Sequence, residues 1–165
     1  MRVLLPALVA LGVAVLELSV APRFSISDAH PHLVLVLGVI ATIAIGGETG
    51  LVWAFVGGIA LDVLTGRPVG ATAFVLLVVL GGTGLVARPS PRLRLVWAIG
   101  LVPVCSALSS ILLVLVLRVL APPVVVPDFG SLLPGIAYDT VIGAVVAPLT
   151  VLLARRSATA GLVYG

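Results

Sequence analysis

Five side chains stand out because they carry charge inside apolar runs: Glu17, Asp62, Arg67, Arg118 and Asp139. An ionised carboxylate in hydrocarbon is costly unless it is paired, hydrogen-bonded or wet. Two aspartates on separate helices could share a proton and activate a water for peptide hydrolysis. Alternatively, each acid could pair with an arginine or a helix end and serve only to hold helices together. A polar pocket opening outward is the third possibility.

The hydrolytic option needs a particular signature. Tyr138-Asp139 looks like half of that of an intramembrane aspartyl protease. The other half should resemble Gly-x-Gly-Asp and lie later in the chain. Here the second aspartate sits earlier, in Gly-Gly-Ile-Ala-Leu-Asp, residues 57–62. Both order and glycine spacing fail. Ser106, Ser109 and Ser110 lie in an apolar run with no histidine or lysine at catalytic spacing. They read as helix-packing hydroxyls. His30 and His32 flank Pro31 and read as loop polars, since no third metal ligand stands at a recognisable distance. No phosphate loop, dinucleotide fingerprint or cysteine metal site is present, so no cofactor or metal is expected.

The elements that position these residues follow from composition. The chain has 165 residues, of which 61% are hydrophobic and 9% charged. Soluble domains carry roughly 25% charged residues. An integral membrane protein is therefore expected, a single all-α domain folded as a six-helix transmembrane bundle. The segments are about 3–21, 31–45, 49–64, 69–87, 95–120 and 131–154. The second is short, reaching only about 24 Å. Gly46-Gly47-Glu48 separates it from the third, which suggests a tight helical hairpin. The start of the first segment also reads as a signal peptide ending at Ser19-Val20-Ala21, but Glu17 and Pro22 argue against cleavage. Lone Cys105 cannot form an intrachain disulfide.

Residues 46–70 look like the packing centre. Gly50, Ala54, Gly58 and Asp62 recur every four residues and form one ridge of small side chains ending in a carboxylate. Gly135, Asp139, Gly143 and Ala147 repeat the pattern in segment six. Smooth ridges let helix backbones approach closely, so Gly58 and Gly143 are expected against neighbouring backbones. Asp62 is expected to bond an arginine, Arg118 before Arg67, or a cluster of backbone N–H groups.

The nine arginines give a formal charge of +3 against six acids. They are scattered at segment ends, so they report topology rather than nucleic-acid binding. Six segments put both termini on one side, with Arg2, Arg88, Arg92, Arg94, Arg155 and Arg156. The other side has Arg23, Arg67 and Arg118. The positive-inside rule then places both termini in the cytoplasm, with Trp97 as an interfacial anchor. Glu17, Asp62, Asp139, Arg67 and Arg118 fall in the outer half. The last nine residues read as a loose tail.

Two stretches carry a family resemblance. Residues 57–88, GGIALDVLTGRPVGATAFVLLVVLGGTGLVAR, resemble the central block of MreD, the rod shape-determining membrane protein. Asp62, Gly66, Pro68 and Gly70 stand at the places of its Leu-Asp and Gly-x-Pro-x-Gly turn. Residues 135–154, GIAYDTVIGAVVAPLTVLLA, resemble its last helix, including Ala147-Pro148-Leu149. The family often has asparagine where this chain has Asp139. The resemblance implies a non-enzymatic membrane scaffold of the bacterial cell-wall elongation machinery. It implies an MreC-like partner, with a RodA-like polymerase, a class B penicillin-binding protein and MreB as further partners. It also implies a fold similar to the membrane substrate-binding subunits of energy-coupling-factor transporters. A small-molecule-binding subunit of a vitamin-type transporter is therefore the alternative function.

Overall fold

A computed structural model describes residues 3–20, 32–87, 94–120 and 129–160, with side chains through residue 19 in the first stretch, from residue 96 in the third and over 133–148 in the last. The described residues form six helices and no strand: α1 Leu4–Val20, α2 Leu33–Ala44, α3 Gly47–Thr65, α4 Ala71–Val86, α5 Arg94–Leu120 and α6 Phe129–Ala160. The cleavage-like residues after Val20 and the arginine-rich stretch 88–93 lie outside this set.

Glycine in the left-handed region stops the chain where two helices meet. Gly46 (φ 139°) separates α2 from α3, leaving only Ile45 and Gly46 between them. Gly66 (φ 68°) ends α3, and its N–H donates to the Asp62 carbonyl. That bond closes the helix with a left-handed cap. Gly70 (φ 98°) then starts α4. Pro103, Pro134 and Pro148 lie inside α5 and α6. The sequence places the end of segment six at Arg155-Arg156, but α6 runs on to Ala160. Residues 155–160, Arg-Arg-Ser-Ala-Thr-Ala, contain neither glycine nor proline, and arginine and alanine favour helix.

The expected stretch 46–70 is a packing helix, with the most extensive interface of any described pair against α4, but the helix at the middle of the bundle is α2. α2 packs against each of the other five helices, whereas α3 meets α1, α2 and α4. Val34, Leu35, Val36, Gly38, Val39, Ile40, Thr42 and Ile43 are all buried. A helix that is apolar around its whole circumference belongs in the interior. α2 carries no charged residue at all, which is how twelve residues can fill the middle of the bundle. α3 instead shows Leu51, Phe55, Val63 and Leu64 to the outside.

Both small-residue ridges face inward. Gly50, Ala54, Gly58 and Asp62 are buried on α3, as are Gly135, Asp139, Gly143 and Ala147 on α6. A side chain at Gly50 would strike Thr42 of α2. At Gly58, a Cβ would come within 2.7 Å of the Ala73 backbone nitrogen on α4. Gly143 differs from expectation: it faces the Val102 side chain on α5, with approaches of 3.0–3.2 Å, rather than a backbone. Branched Val102 fills the space that a second small residue would have left open.

Two helices of the described residues, Gly47–Thr65 and Val96–Leu120, are long and apolar enough to cross a membrane. Shorter apolar helices cover Leu4–Ser19, Leu33–Ala44, Ala71–Val86 and Leu133–Pro148. The outer surface is apolar as well: Leu4, Leu8, Phe74, Val119 and Val141 are all more than half exposed. A surface so rich in large exposed apolar side chains suits lipid rather than water.

Candidate functional site

The first turn of a helix leaves N–H groups without intrahelical partners. At the start of α2 this turn is enclosed by other helices from Val34 onward, with His32 half-exposed at its rim, so side chains replace water inside. Glu17 of α1, only 8% exposed, accepts the Val34 N–H at 2.7 Å. Asp139 of α6, fully buried, accepts the His32 N–H through Oδ1 at 2.8 Å. Its Oδ2 takes two more bonds, one with His32 Nδ1 at 3.0 Å and one from the Ser106 hydroxyl of α5 at 2.5 Å. On the far side of the same turn, Trp53 Nε1 of α3 donates to the Val34 carbonyl at 2.9 Å. Four helices thus converge on one turn of α2. The partial positive charge at a helix N-terminus favours carboxylates there.

Asp62 solves the same problem at the start of α4. It is fully buried. Its Oδ2 accepts the Gly70 N–H at 2.8 Å and its Oδ1 the Thr72 N–H at 3.0 Å. The expected alternatives for Asp62 were an arginine, with Arg118 preferred, or backbone N–H groups. The backbone groups hold it, and the Arg118 preference is overturned. Among the described residues the only basic side chain within reach of a carboxylate is His32, beside Asp139. Arg118 is exposed near the end of α5. Arg67 folds back through its backbone, whose N–H donates to the Asp62 carbonyl at 3.0 Å. The left-handed cap at Gly66 turns the chain so that the α4 N-terminus, and no guanidinium, reaches the carboxylate first.

The five expected polar residues therefore divide. Glu17 and Asp139 meet at α2. Asp62 serves α4 with separate partners, so the two aspartates do not form a dyad around one water. Arg67 and Arg118 make no side-chain ion pair among the described residues.

Two members of the site escaped the sequence reading. His32 is a helix-capping partner of Asp139, not a free loop polar. Its position just before an apolar run was the available signal, since that is where an N-cap falls. Trp53 had no local signal. Ser106 is the helix-packing hydroxyl expected, donating from α5 to Asp139 of α6, whereas Ser109 and Ser110 depart from that reading and donate to the Ser106 carbonyl within α5 at 2.9 Å each. The triad residue types are all present in Ser106, Asp139 and His32, but both Ser106 and His32 bond the carboxylate. A serine nucleophile needs its hydroxyl on the imidazole. Here the hydroxyl is a donor to Asp139 and is not activated. Among the described residues, no group of three His, Cys, Asp or Glu is placed to hold a metal.

At the opposite end of α2, a cleft of about 640 Å³ lies between α1 and the α2–α3 link. Its lining includes Val3, Leu5, Pro6, Ile45, Glu48 and Val52.

Comparison with curated proteins and with solved structures found no match. A buried first turn on α2, an aspartate-capped Gly-x-Pro-x-Gly corner and an apolar exterior describe a membrane bundle held by its own carboxylates. The family model for rod shape-determining protein MreD matches residues 1–156 of the 165, and the chain belongs to that family of cell-shape membrane proteins.

Proposed function

We propose that the protein is a non-enzymatic scaffold of the rod-shape, cell-wall elongation machinery. It holds an MreC-like partner and helps to organise peptidoglycan synthases, a RodA-like polymerase and a class B penicillin-binding protein among them, together with MreB. The observation that carries this reading is how the buried acids are used. Glu17, Asp62 and Asp139 all accept backbone N–H groups. Such an arrangement fixes shape and uses these three carboxylates as caps rather than on a reacting group. The same use favours a scaffold over a vitamin-type binding subunit, although a fold like that of energy-coupling-factor subunits remains part of the proposal.

The working topology has six membrane crossings and both termini in the cytoplasm, following the six-to-three division of arginines. The short α2 crosses at the centre, with its capped end toward the outside. A phosphatase active only outside the cytoplasm should work when fused near Val125 and fail near Ser90. The reverse would overturn the orientation.

Copurification in mild detergent tests the function. Recovery of an MreC-like protein with the tagged chain is the expected result. Recovery with an ATPase coupling module or a tightly bound vitamin would replace the scaffold by a transport subunit.

A further inference from the structure

We propose that Glu17, His32 and Asp139 form a proton site that latches α1 and α6 onto the start of α2. The inference deepens the scaffold reading, and only its placement on the outer side rests on the proposed topology.

Charge bookkeeping at the turn motivates it. Two buried carboxylates, Glu17 and Asp139, serve adjacent positions of one helix end. Neither accepts a hydrogen bond from an arginine side chain among the described residues. Among the described residues, the charged or titratable groups facing His32 can be named helix by helix. α1 offers Glu17, α6 offers Asp139, and the α3–α4 turn offers Arg67, whose exposed side chain acts at a distance. α5 contributes only the Ser106 hydroxyl. α2 and α4 have no titratable side chain. Among the described residues, with both acids ionised, two negative charges face one distant positive charge. Binding one proton brings the group to neutrality.

The geometry says where that proton sits. The neutral His32 ring donates Nδ1–H to Asp139 Oδ2, which leaves the lone pair on Nε2. A proton from outside water adds there and makes an imidazolium against Asp139. The His32 side chain is 44% exposed while Asp139 is fully buried, so the histidine is the member through which water delivers the proton. The ring edge runs along α6, with Cε1 3.9 Å from where a Gly135 Cβ would stand. Gly135 and Asp139 are one turn apart, so the ring lies along the inward ridge of α6. Losing the proton leaves two anions on one helix end and weakens the hold of α6. A scaffold built this way changes its outer face with external pH.

The sign follows from linkage. Burial works against the imidazolium, but the hydrogen bond and charge of Asp139, with the charge of Glu17, outweigh it, so the folded protein binds this proton more tightly than the unfolded chain does. Its stabilisation is therefore present at low pH and lost as pH rises through the histidine range. In detergent, melting temperature should fall by roughly 2–4 °C between about pH 6 and about pH 9. His32→Gln keeps the backbone N–H to Asp139 and removes the titration, so its profile should be flat in that window. A wild-type profile that is already flat, or the same slope in both proteins, would overturn the proposal.

If His32→Gln does not fold, histidine nitrogen NMR decides. The chain has two histidines, and His30→Asn leaves His32 alone. An imidazolium signal at about pH 7 supports the site, and a neutral ring there overturns it. Loss of the pH slope with copurification intact would sink the latch and leave the scaffold standing. Failed copurification with the slope present would do the converse.

Discussion

The starts of α2 and α4 are capped by the same chemistry at very different range. At α4, Asp62 reaches N–H groups eight and ten residues ahead, across one glycine-bounded corner. At α2, Asp139 reaches back 107 residues, and Glu17 reaches forward 17. The first cap shapes a corner between two neighbouring helices. The second joins the first and last helices to the central one, with Ser106 and Trp53 bringing in two more. The buried carboxylates share backbone N–H partners and differ in what they unite, with Asp139 adding an imidazole and a hydroxyl.

The largest expected effect is at the long-range cap. Asp139→Leu leaves the His32 N–H and the Ser106 hydroxyl without their acceptor and should cost on the order of 3 kcal/mol. Thermal melting in detergent would show it, together with cleavage by a protease at α6. A variant that melts like wild type would mean that α6 is not held through this residue.

The local corner should be less sensitive and more brittle in one place. Gly58→Leu drives a side chain into the Ala73 backbone, which cannot turn aside, and should cost about 1–3 kcal/mol. Gly143→Leu meets Val102, whose side chain can move, and should cost less than Gly58→Leu. Equal melting temperatures for these two variants would erase the distinction between a backbone contact and a side-chain contact.

Asp62→Asn keeps one acceptor oxygen but turns an NH₂ toward backbone donors. About 1 kcal/mol of lost stability is expected. The smallest effect is reserved for Arg118→Gln, within about 0.5 kcal/mol of wild type. Combined with Asp62→Asn it should be additive, because the two side chains are not partners. A restored melting temperature in the double variant would revive the Asp62–Arg118 pair.

These outcomes bear on what could be read from residue order. The corner was legible because its parts are close in sequence. A Leu-Asp at a helix end, Gly66, Pro68 and Gly70 identify the turn, and backbone N–H groups were among the partners foreseen for Asp62. Charge and depth along the segments favour Arg118, but neither says which donor a left-handed cap brings nearest. The inward faces of both ridges were also legible, since spacing by four places small residues on one side of a helix. Of the opposing surfaces, Gly58 meets a backbone as expected, but Gly143 meets a side chain rather than a backbone.

Residue order by itself determined the class of protein, the apolar helices, the glycine stops and the family. Each depends on composition or on residues a few positions apart, where backbone geometry is nearly fixed. Only the tertiary structure decided that the short α2, and not the aspartate-bearing α3, is the centre. It alone also decided that His32, Glu17, Asp139, Ser106 and Trp53 share one turn. The physical reason is that an enclosed helix start must find acceptors for its N–H groups wherever packing supplies them. Here the packing brings a carboxylate from 107 residues away, a distance over which no local pattern carries information.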